Sequence, residues 1–265
     1  MTIDLEKICL QVVDISKAVG KYILDEQQNF DAAKIERKGK NDFVSYVDKN
    51  AELKFIEKLI LLLPDAGFIA EEGSNNTKGL NFNWVIDPLD GTTNFLHGLP
   101  IFCTSVALLQ DEKLVLGVIF DPSRNECFYA WKGGGAWFNS RKISVSTQDD
   151  FSQSFVVTGF PYNHDGKLSQ NFEILKHLIE NTGGIRRLGS AALDLAYVAC
   201  GRFDVFYEYG LNPWDVAAGG IIVSEAGGSV TDFSNKNNYL FGKQILATNG
   251  KIHNDYIEVL KNKLD

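Results

Sequence analysis

The chain has 265 residues, of which 45% are hydrophobic and 23% are charged, and its formal net charge is -8 at pH 7. A chain of this length can bury a large core and lies near the size at which one core begins to divide into two. The acidic charge argues against nucleic acid or an anionic membrane surface as a partner, because both require a basic surface.

The N-terminal segment lacks the pattern of a signal peptide, since Asp4, Glu6 and Asp14 interrupt its apolar positions. The longest apolar run, residues 59–63, is too short to span a bilayer and is followed by a proline. The four cysteines are scattered and form no CxxC pair, which is typical of free thiols in a reducing compartment. These features predict a cytoplasmic location.

Helical and extended patterns alternate in the first half of the chain. Apolar residues at helical spacing predict a helix over residues 3–28 and a second helix over residues 45–63. Between them, residues 34–42 are polar and basic, and their composition favours a solvated loop. The glycines at 133–135 match no phosphate-binding loop and indicate a turn. We expect strands at residues 67–70, 83–86, 102–110, 114–120, 126–131 and 136–138.

From about residue 151 the pattern changes to strands that alternate with helices. The expected strands are residues 155–158, 185–188, 203–207, 229–231 and 245–248, and the expected helices are residues 168–180, 191–200, 213–225 and 252–264. Alternation of this kind favours a wound α/β unit. The sequence therefore predicts an α+β domain over residues 1–145 and an α/β domain over residues 146–265.

The segment 83–95 contains several potential metal-binding and phosphate-binding groups within a few residues. An apolar strand ends at Asp87, a proline turn follows, and Asp90 precedes Gly91 and two threonines that can open a helix. Each residue alone has an ordinary structural explanation, because Asp-Gly is a common turn pair and Asp or Thr commonly caps a helix. A backbone of this form can also hold hard cations on one side and a phosphate on the other.

Three further groups of acids need explaining together with that segment. Glu71 and Glu72 end an apolar strand, Asp48 lies at the head of the second helix, and Asp215 lies in the first turn of another helix. Capping and the helix dipole account for the last two when each is taken alone. The combination of all these acids is what isolated structural roles do not explain.

Together these segments resemble the inositol monophosphatase family, within the wider group of lithium-sensitive, magnesium-dependent phosphatases. The two signature segments are residues 87–95 and residues 214–228, and Glu71-Glu72-Gly73 lies at the expected distance upstream. Residues 44–52 and 189–192 extend the resemblance over nearly the whole chain. The resemblance implies a layered αβαβα sandwich, with an antiparallel sheet in the N-terminal half and a wound α/β C-terminal half, and a homodimer.

The resemblance also implies an active site with two to three Mg²⁺ ions, and the oxygen donors agree with that ion's preference. The implied metal ligands are Glu71, Asp87, the carbonyl of Leu89, Asp90 and Asp215. A metal-activated water would attack the phosphate directly, oriented by Glu71 and by Thr92, which Asp48 supports. The implied substrate-binding residues are Glu71, Leu89, Asp90, Gly91, Thr92, Gly189, Ser190, Ala191, Glu208 and Asp215.

The predicted function is a magnesium-dependent phosphomonoesterase that hydrolyses inositol monophosphates, with a small phosphorylated polyol as its substrate. One alternative is a related sugar-phosphate phosphatase of the fructose-1,6-bisphosphatase or histidinol-phosphatase type. Another is a regulatory role through binding of RNA polymerase or ribosomal factors, as in some bacterial relatives. The basic segment 34–42 gains a further interpretation as a mobile flap, in which Arg37, Lys38 and Lys40 compete for the place of the family's lysine.

Overall fold

Two helices, α1 (Leu5–Gln28) and α2 (Tyr46–Leu62), pack against each other in the first part of the chain. The computed structural model describes residues 3–29, 35–39, 42–75, 77–160 and 168–264, with the backbone alone at 35–39, 42–44 and 264. The Asp4 side chain caps α1 by accepting a hydrogen bond from the amide of Lys7. Ser45 and Asp48 form a capping box at the start of α2, so Asp48, a predicted site residue, also secures the helix.

In the described part of the basic segment between the two helices, the backbone forms a two-stranded antiparallel ribbon, and the expectation of a loop is wrong for residues 35–39 and 42. Strands β1 (Ile35–Gly39) and β2 (Asp42–Ser45) pair from Ile35 opposite Ser45 onwards. The β-branched and aromatic residues of Asp42–Ser45 favour this conformation. Lys34, Lys40 and Asn41 lie outside the described residues, and the flap remains a prediction.

Among the described residues, the larger sheet has seven strands in chain order. They are β3 (Gly67–Ala70), β4 (Phe82–Asp90), β5 (Cys103–Gln110), β6 (Lys113–Asp121), β7 (Glu126–Trp131), β8 (Gly135–Phe138) and β9 (Arg141–Ile143). Only the β3–β4 pair is parallel, as expected for a mainly antiparallel first half. A short helix α3 (Thr92–Leu96) follows β4, and α1 and α2 contact this sheet.

Strand β4 is longer than predicted and continues through Pro88 to Asp90. Asp87 lies opposite Ser105, but Asp90 lies opposite Cys103, so β4 carries one extra residue at this point. Residues three apart on a regular strand point to opposite faces. The extra residue breaks that alternation and allows both aspartates to face the same side, and a bulge is also where a strand tolerates proline.

The smaller sheet has five strands in the order β11-β10-β12-β14-β13. They are β10 (Phe155–Thr158), β11 (Gly184–Arg186), β12 (Val205–Tyr209), β13 (Ser229–Thr231) and β14 (Gln244–Thr248). The first three strands in that order are parallel, while β14 is antiparallel to both of its neighbours. The wound pattern therefore holds for part of the sheet, and its other edge is antiparallel.

The remaining helices complete a five-layer arrangement. They are α4 (Leu168–Asn181), α5 (Ala191–Ala199), α6 (Pro213–Glu225) and α7 (His253–Leu264). Helices α5 and α6 contact strands of both sheets, whereas α4 and α7 contact each other and the smaller sheet. With α1 and α2 on the far side of the larger sheet, the predicted αβαβα sandwich is confirmed.

A single buried cluster extends from the larger sheet through α5 and α6 into the smaller sheet. The two sheets divide between Ile143 and Phe155, and the domain limits 1–145 and 146–265 remain a prediction. Within the described residues the four cysteines are free thiols. In that same part of the chain, no helix has the length and apolar character needed to cross a membrane.

The triple glycine forms the predicted turn, and a residue of the second signature holds it. Both carboxylate oxygens of Glu225, at the end of α6, accept hydrogen bonds from the amides of Gly133 and Gly135, each at 3.0 Å. The second signature therefore has a structural function at its C-terminal end.

Candidate active site

Four acidic side chains lie near the carboxyl ends of β3 and β4 and the start of α6. Glu71 follows β3, Asp87 and Asp90 lie on β4, and Asp215 lies in the first turn of α6. The amide of Glu71 donates to the carbonyl of Ile86 at 3.2 Å, which brings the end of β3 to the level of Asp87. The Ser105 hydroxyl donates to the carbonyl of Trp214 at 3.2 Å and fixes the start of α6 against β5.

The turn that carries Glu71 is held by an acid that the sequence analysis did not single out. Glu52 is fully buried on α2, and its two carboxylate oxygens accept hydrogen bonds from the amides of Glu72 and Ser74, both at 2.7 Å. Glu52 lies at helical spacing from Phe55 and Leu59, but this spacing alone does not distinguish a buried carboxylate from a solvated one. Glu52 therefore positions Glu71 from behind.

Asp90 joins the two halves of the chain. Its Oδ2 accepts hydrogen bonds from the Ser190 hydroxyl and from the amide of Ala192, both at 2.7 Å. Ser190 also caps α5, because its hydroxyl accepts from the amide of Leu193 at 3.4 Å. The Ser190 hydroxyl is thus engaged with Asp90, so the contact of this residue with the substrate remains a prediction.

Asn94 makes a second connection between the two halves. Its side-chain nitrogen donates to the carbonyls of Ile101 at 2.8 Å and Leu188 at 3.0 Å. This places the Gly189-Ser190 segment beside α3. Sequence reasoning did not assign Asn94 a role, although it lies within the first signature.

The Thr92 hydroxyl lies between two acceptors. Its oxygen is 2.9 Å from Asp48 Oδ1 and 2.9 Å from the carbonyl oxygen of Leu89. Asp48 Oδ2 accepts from the amide and the hydroxyl of Ser45 at 2.8 and 2.6 Å, so the orientation of this carboxylate is set from both sides. Burial raises the pKa of Asp48, and the hydrogen bonds from Ser45 and Thr92 oppose that rise.

Gly91 lies between the two aspartates and the threonines, and its φ is positive, at 92°. A Cβ there would lie 2.8 Å from the carbonyl oxygen of Ile101. Both its backbone conformation and its surroundings therefore require glycine. Its predicted contact with phosphate remains a prediction.

The acids of the cluster disfavour one another's charge. Burial raises the pKa of Asp87 well above its ordinary value, and the charges of Glu71, Asp90 and Asp215 raise it further. Burial and then the charge of Asp90 do the same to Asp215, whose Oδ2 accepts from the amide of Asn212 at 2.6 Å. Within the described residues none of the ion pairs involves Asp87, Asp90 or Asp215.

This arrangement fits bound cations. The donors are carboxylates together with the Leu89 carbonyl, which is the oxygen set that Mg²⁺ prefers, and a cation would supply the positive charge the cluster lacks. In the described part of the chain, no three acidic, histidine or cysteine side chains already surround a single point as ligands. The acids are therefore neighbours whose side chains would turn towards a shared ion, and the ion count remains a prediction.

A pocket of about 130 Å³ extends from Glu71, Asp90 and Asp215 into the second half of the chain. Glu208 of β12 lies on its wall, and burial raises the pKa of this carboxyl to about 8, against the opposing influence of Arg187. A Cβ at Gly159 would overlap the Glu208 carboxylate, so glycine is needed there. The other lining residues are Gly159, Phe160, Arg187, Gly189, Ser190, Ala191, Asp194, Gly210, Leu211, Asn212 and Trp214.

The structure thus divides the predicted site residues into two groups. Those that line the pocket are Glu71, Asp90, Gly189, Ser190, Ala191, Glu208 and Asp215. Those that do not line it are Asp48, Asp87, Leu89, Gly91 and Thr92. The charges of Glu71, Asp90 and Asp215 act on Asp87, and the Thr92 hydroxyl is hydrogen-bonded to Asp48 and Leu89. Sequence reasoning did not assign Asp194 a role.

Comparison with known proteins identifies a family and close structural relatives. The family model described as "Inositol monophosphatase family" matches residues 4–264. A relative named "Putative Nus factor SuhB", from Neisseria meningitidis serogroup B, is 41% identical over 246 residues, which cover 92% of this chain and 94% of that protein.

Two solved structures superpose over nearly the full chain. The extragenic suppressor protein suhB from Bartonella henselae has a TM-score of 0.90 and 38% identity, covering 96% of this chain and 98% of that one. The inositol monophosphatase from Anabaena has a TM-score of 0.88 and 37% identity, covering 98% and 97%.

Proposed function

This chain belongs to the inositol monophosphatase family, and we propose that it is a magnesium-dependent phosphomonoesterase that hydrolyses inositol monophosphates. The observation that carries the proposal is the convergence of Glu71, Asp87, Asp90 and Asp215 beside a pocket, with no ion pair for the three aspartates among the described residues. A homodimer and lithium inhibition follow from the same resemblance, a cytoplasmic location follows from the sequence features described above, and all three are predictions.

The residues that would hold Mg²⁺ are Glu71, Asp87, the Leu89 carbonyl, Asp90 and Asp215. Bound there, the ions would neutralise phosphate charge, increase the acidity of water and stabilise the leaving oxygen. The chain contributes their placement. Glu52 holds the turn of Glu71, and Ser190 with the amide of Ala192 holds Asp90.

The chain also provides groups that orient water and accept its proton. The Thr92 hydroxyl has one proton, which it donates to Asp48 or to the Leu89 carbonyl, so its oxygen can accept a hydrogen bond from a water. Glu71 lies on the pocket wall and would take the proton as that water attacks phosphorus. No covalent phosphoenzyme is required.

A phosphate-release screen with magnesium tests the proposal. The substrates are inositol 1-phosphate, fructose 1,6-bisphosphate, histidinol phosphate and adenosine 3′,5′-bisphosphate, with a chelator as the control for metal dependence. We expect the highest kcat/KM for inositol 1-phosphate and no release with chelator. A preference for another of the four would replace the substrate assignment, and release that persists with chelator would contradict the metal site.

A regulatory role is the second candidate, because a relative that is 41% identical is named a putative Nus factor. The net charge predicted that nucleic acid is not a partner of this chain, and the name of this relative does not support that prediction. Catalysis and regulation are compatible, because a partner surface need not include the acid cluster.

A pulldown from lysate with the wild-type chain and with Asp90→Asn tests this second candidate. Capture of transcription components by both proteins would support a role that does not depend on catalysis. Failure of both to capture any of them would remove it.

A further inference from the structure

Asp194 is a buried acid in the pocket without an evident structural purpose. It lies in the first turn of α5, its side chain is buried at 1% exposure, and it lines the pocket together with Glu208. Its Oδ1 has no hydrogen-bond partner among the described residues. A buried oxygen of this kind is costly unless a ligand satisfies it.

Asp194 neither caps its helix nor forms an ion pair within the described residues, which are the usual structural roles of a buried acid. Ser190, not Asp194, caps α5 through the amide of Leu193. None of the ion pairs in the described part of the chain includes Asp194. Asp194 lines the pocket together with Gly189, Ser190, Ala191 and Glu208, the residues expected to contact the alcohol.

The charges around Asp194 are mostly negative. Glu208 and Asp90 raise its pKa in addition to burial, and Arg187 opposes them. Among the described lining residues Arg187 is the only cationic side chain, and it is exposed at the rim. The wall therefore carries two carboxyl groups and one guanidinium, so it can exchange hydrogen bonds with hydroxyls but supplies little positive charge for a second phosphate on a ligand.

We propose that Asp194 is a specificity-determining residue that, together with Glu208, hydrogen-bonds the free hydroxyl groups of a neutral polyol and disfavours leaving groups with a second phosphate. Two carboxyl groups on one wall can each hydrogen-bond a different hydroxyl of the same alcohol, which selects for alcohols with more than one free hydroxyl. This inference rests on the proposed function, since it concerns the leaving group of the same site.

The test compares Asp194→Asn with the wild-type enzyme on three substrates: inositol 1-phosphate, fructose 1,6-bisphosphate and p-nitrophenyl phosphate, whose leaving group has no free hydroxyl. For Asp194→Asn we expect kcat/KM for inositol 1-phosphate to fall about tenfold, because one carboxyl oxygen becomes an NH₂ group and a hydrogen bond to a substrate hydroxyl weakens. The value for p-nitrophenyl phosphate should stay within about twofold, and the relative rate on the bisphosphate should rise.

Two further variants make the comparison specific. Asp232→Asn removes another buried carboxylate, one that accepts from the amides of Ser234 and Lys236 outside the pocket, and it should leave all three values unchanged. Asp194→Leu keeps similar bulk but cannot hydrogen-bond, and it should lose the preference for inositol 1-phosphate without a fall in thermal unfolding temperature. Equal losses on all three substrates, or no change in any of them, would overturn the proposal.

A binding measurement separates this inference from the proposed function. Saturation-transfer NMR with Mg²⁺, inorganic phosphate and myo-inositol should show transfer to inositol in the wild type and in Asp232→Asn, and weaker transfer in Asp194→Asn. Transfer with that pattern but no hydrolysis would keep the polyol site and refute the phosphatase. Hydrolysis of p-nitrophenyl phosphate without inositol binding would do the reverse.

Discussion

Asp90→Asn should separate metal binding from folding, because the hydrogen bonds that Asp90 accepts from Ser190 and Ala192 both end on Oδ2, and the proposed metal contact would fall to Oδ1. Oδ2 accepts from the Ser190 hydroxyl and the amide of Ala192, and the amide oxygen of asparagine can accept both bonds. The other position then carries an NH₂ group, which cannot ligate a cation. The fold should therefore survive while the metal site fails.

The size of each effect follows from these contacts. Each of the two hydrogen bonds weakens by about 1 kcal/mol when its acceptor becomes neutral. Removal of the negative charge that raises the pKa of Asp87 and Asp215 offsets part of this loss. We expect the free energy of unfolding of metal-free Asp90→Asn to lie within about 2 kcal/mol of the wild type. Asp90→Ala leaves both donors without their acceptor and should cost about 2–6 kcal/mol.

Urea unfolding with and without Mg²⁺ measures these differences. A ligand at 100 times its Kd stabilises a protein by about 2.7 kcal/mol, and this gain should be present in the wild type and much reduced in Asp90→Asn. Phosphate release should fall at least about 100-fold, which corresponds to about 3 kcal/mol of transition-state stabilisation.

Two results would refute this reasoning. Near-normal turnover by Asp90→Asn would contradict the role of Asp90 in holding a catalytic ion. A metal-free Asp90→Asn protein as unstable as Asp90→Ala would show that the contact with Ser190 and Ala192 requires the charged carboxylate.

Substitutions at three other residues test separate parts of the site. Thr92→Val should lower kcat about 100-fold, whereas Thr92→Ser keeps the hydroxyl that bonds to Asp48 and should retain most of the activity. Stabilisation by Mg²⁺ should be unchanged in both variants. Equal activity of the two variants would remove Thr92 from the mechanism. In Glu52→Gln, an NH₂ group faces one of the two backbone amides that bind carboxylate oxygens in the wild type. The free energy of unfolding in urea should fall by about 1–3 kcal/mol, and Mg²⁺ should bind more weakly at Glu71. Unchanged Mg²⁺ binding would show that Glu52 acts on stability alone. The pKa of Glu208, about 8 in the folded protein against an ordinary 4.5, means that the folded state retains a proton that the unfolded state loses across this window. The metal-free wild type should therefore lose stability relative to Glu208→Gln as the pH rises from 5 to 8, by on the order of 4 kcal/mol, and parallel pH profiles in urea unfolding would contradict this.

The elements with strong local signals were predicted from the sequence. Apolar residues at helical spacing located α1, and the proline of Asn212-Pro213 located the start of α6, because helical periodicity and capping residues are properties of neighbouring positions. The layered fold was expected from the resemblance and is confirmed. In contrast, strand β9 and the ribbon of β1 and β2 were not predicted, since a short strand depends on the partner that it pairs with.

The acids were identifiable from the sequence because they stand at the ends of apolar segments, where a strand stops or a helix begins. The bulge in β4 was not, because it depends on pairing with β5. The roles of Glu52 and Asp194 were also hidden, since a polar side chain on a helix has the same sequence pattern whether it is buried or solvated.

Which acids the chain provides, and in which order along it, was determined by the sequence alone. Their function as one site was decided by the tertiary structure. The extra residue in β4 turns Asp87 and Asp90 to one side, and the contact of Ser190 with Asp90 joins a segment 100 residues away to the same cluster. Burial then raises the pKa of acids that would titrate normally on an open chain, and this energetic coupling exists only where distant segments exclude water together.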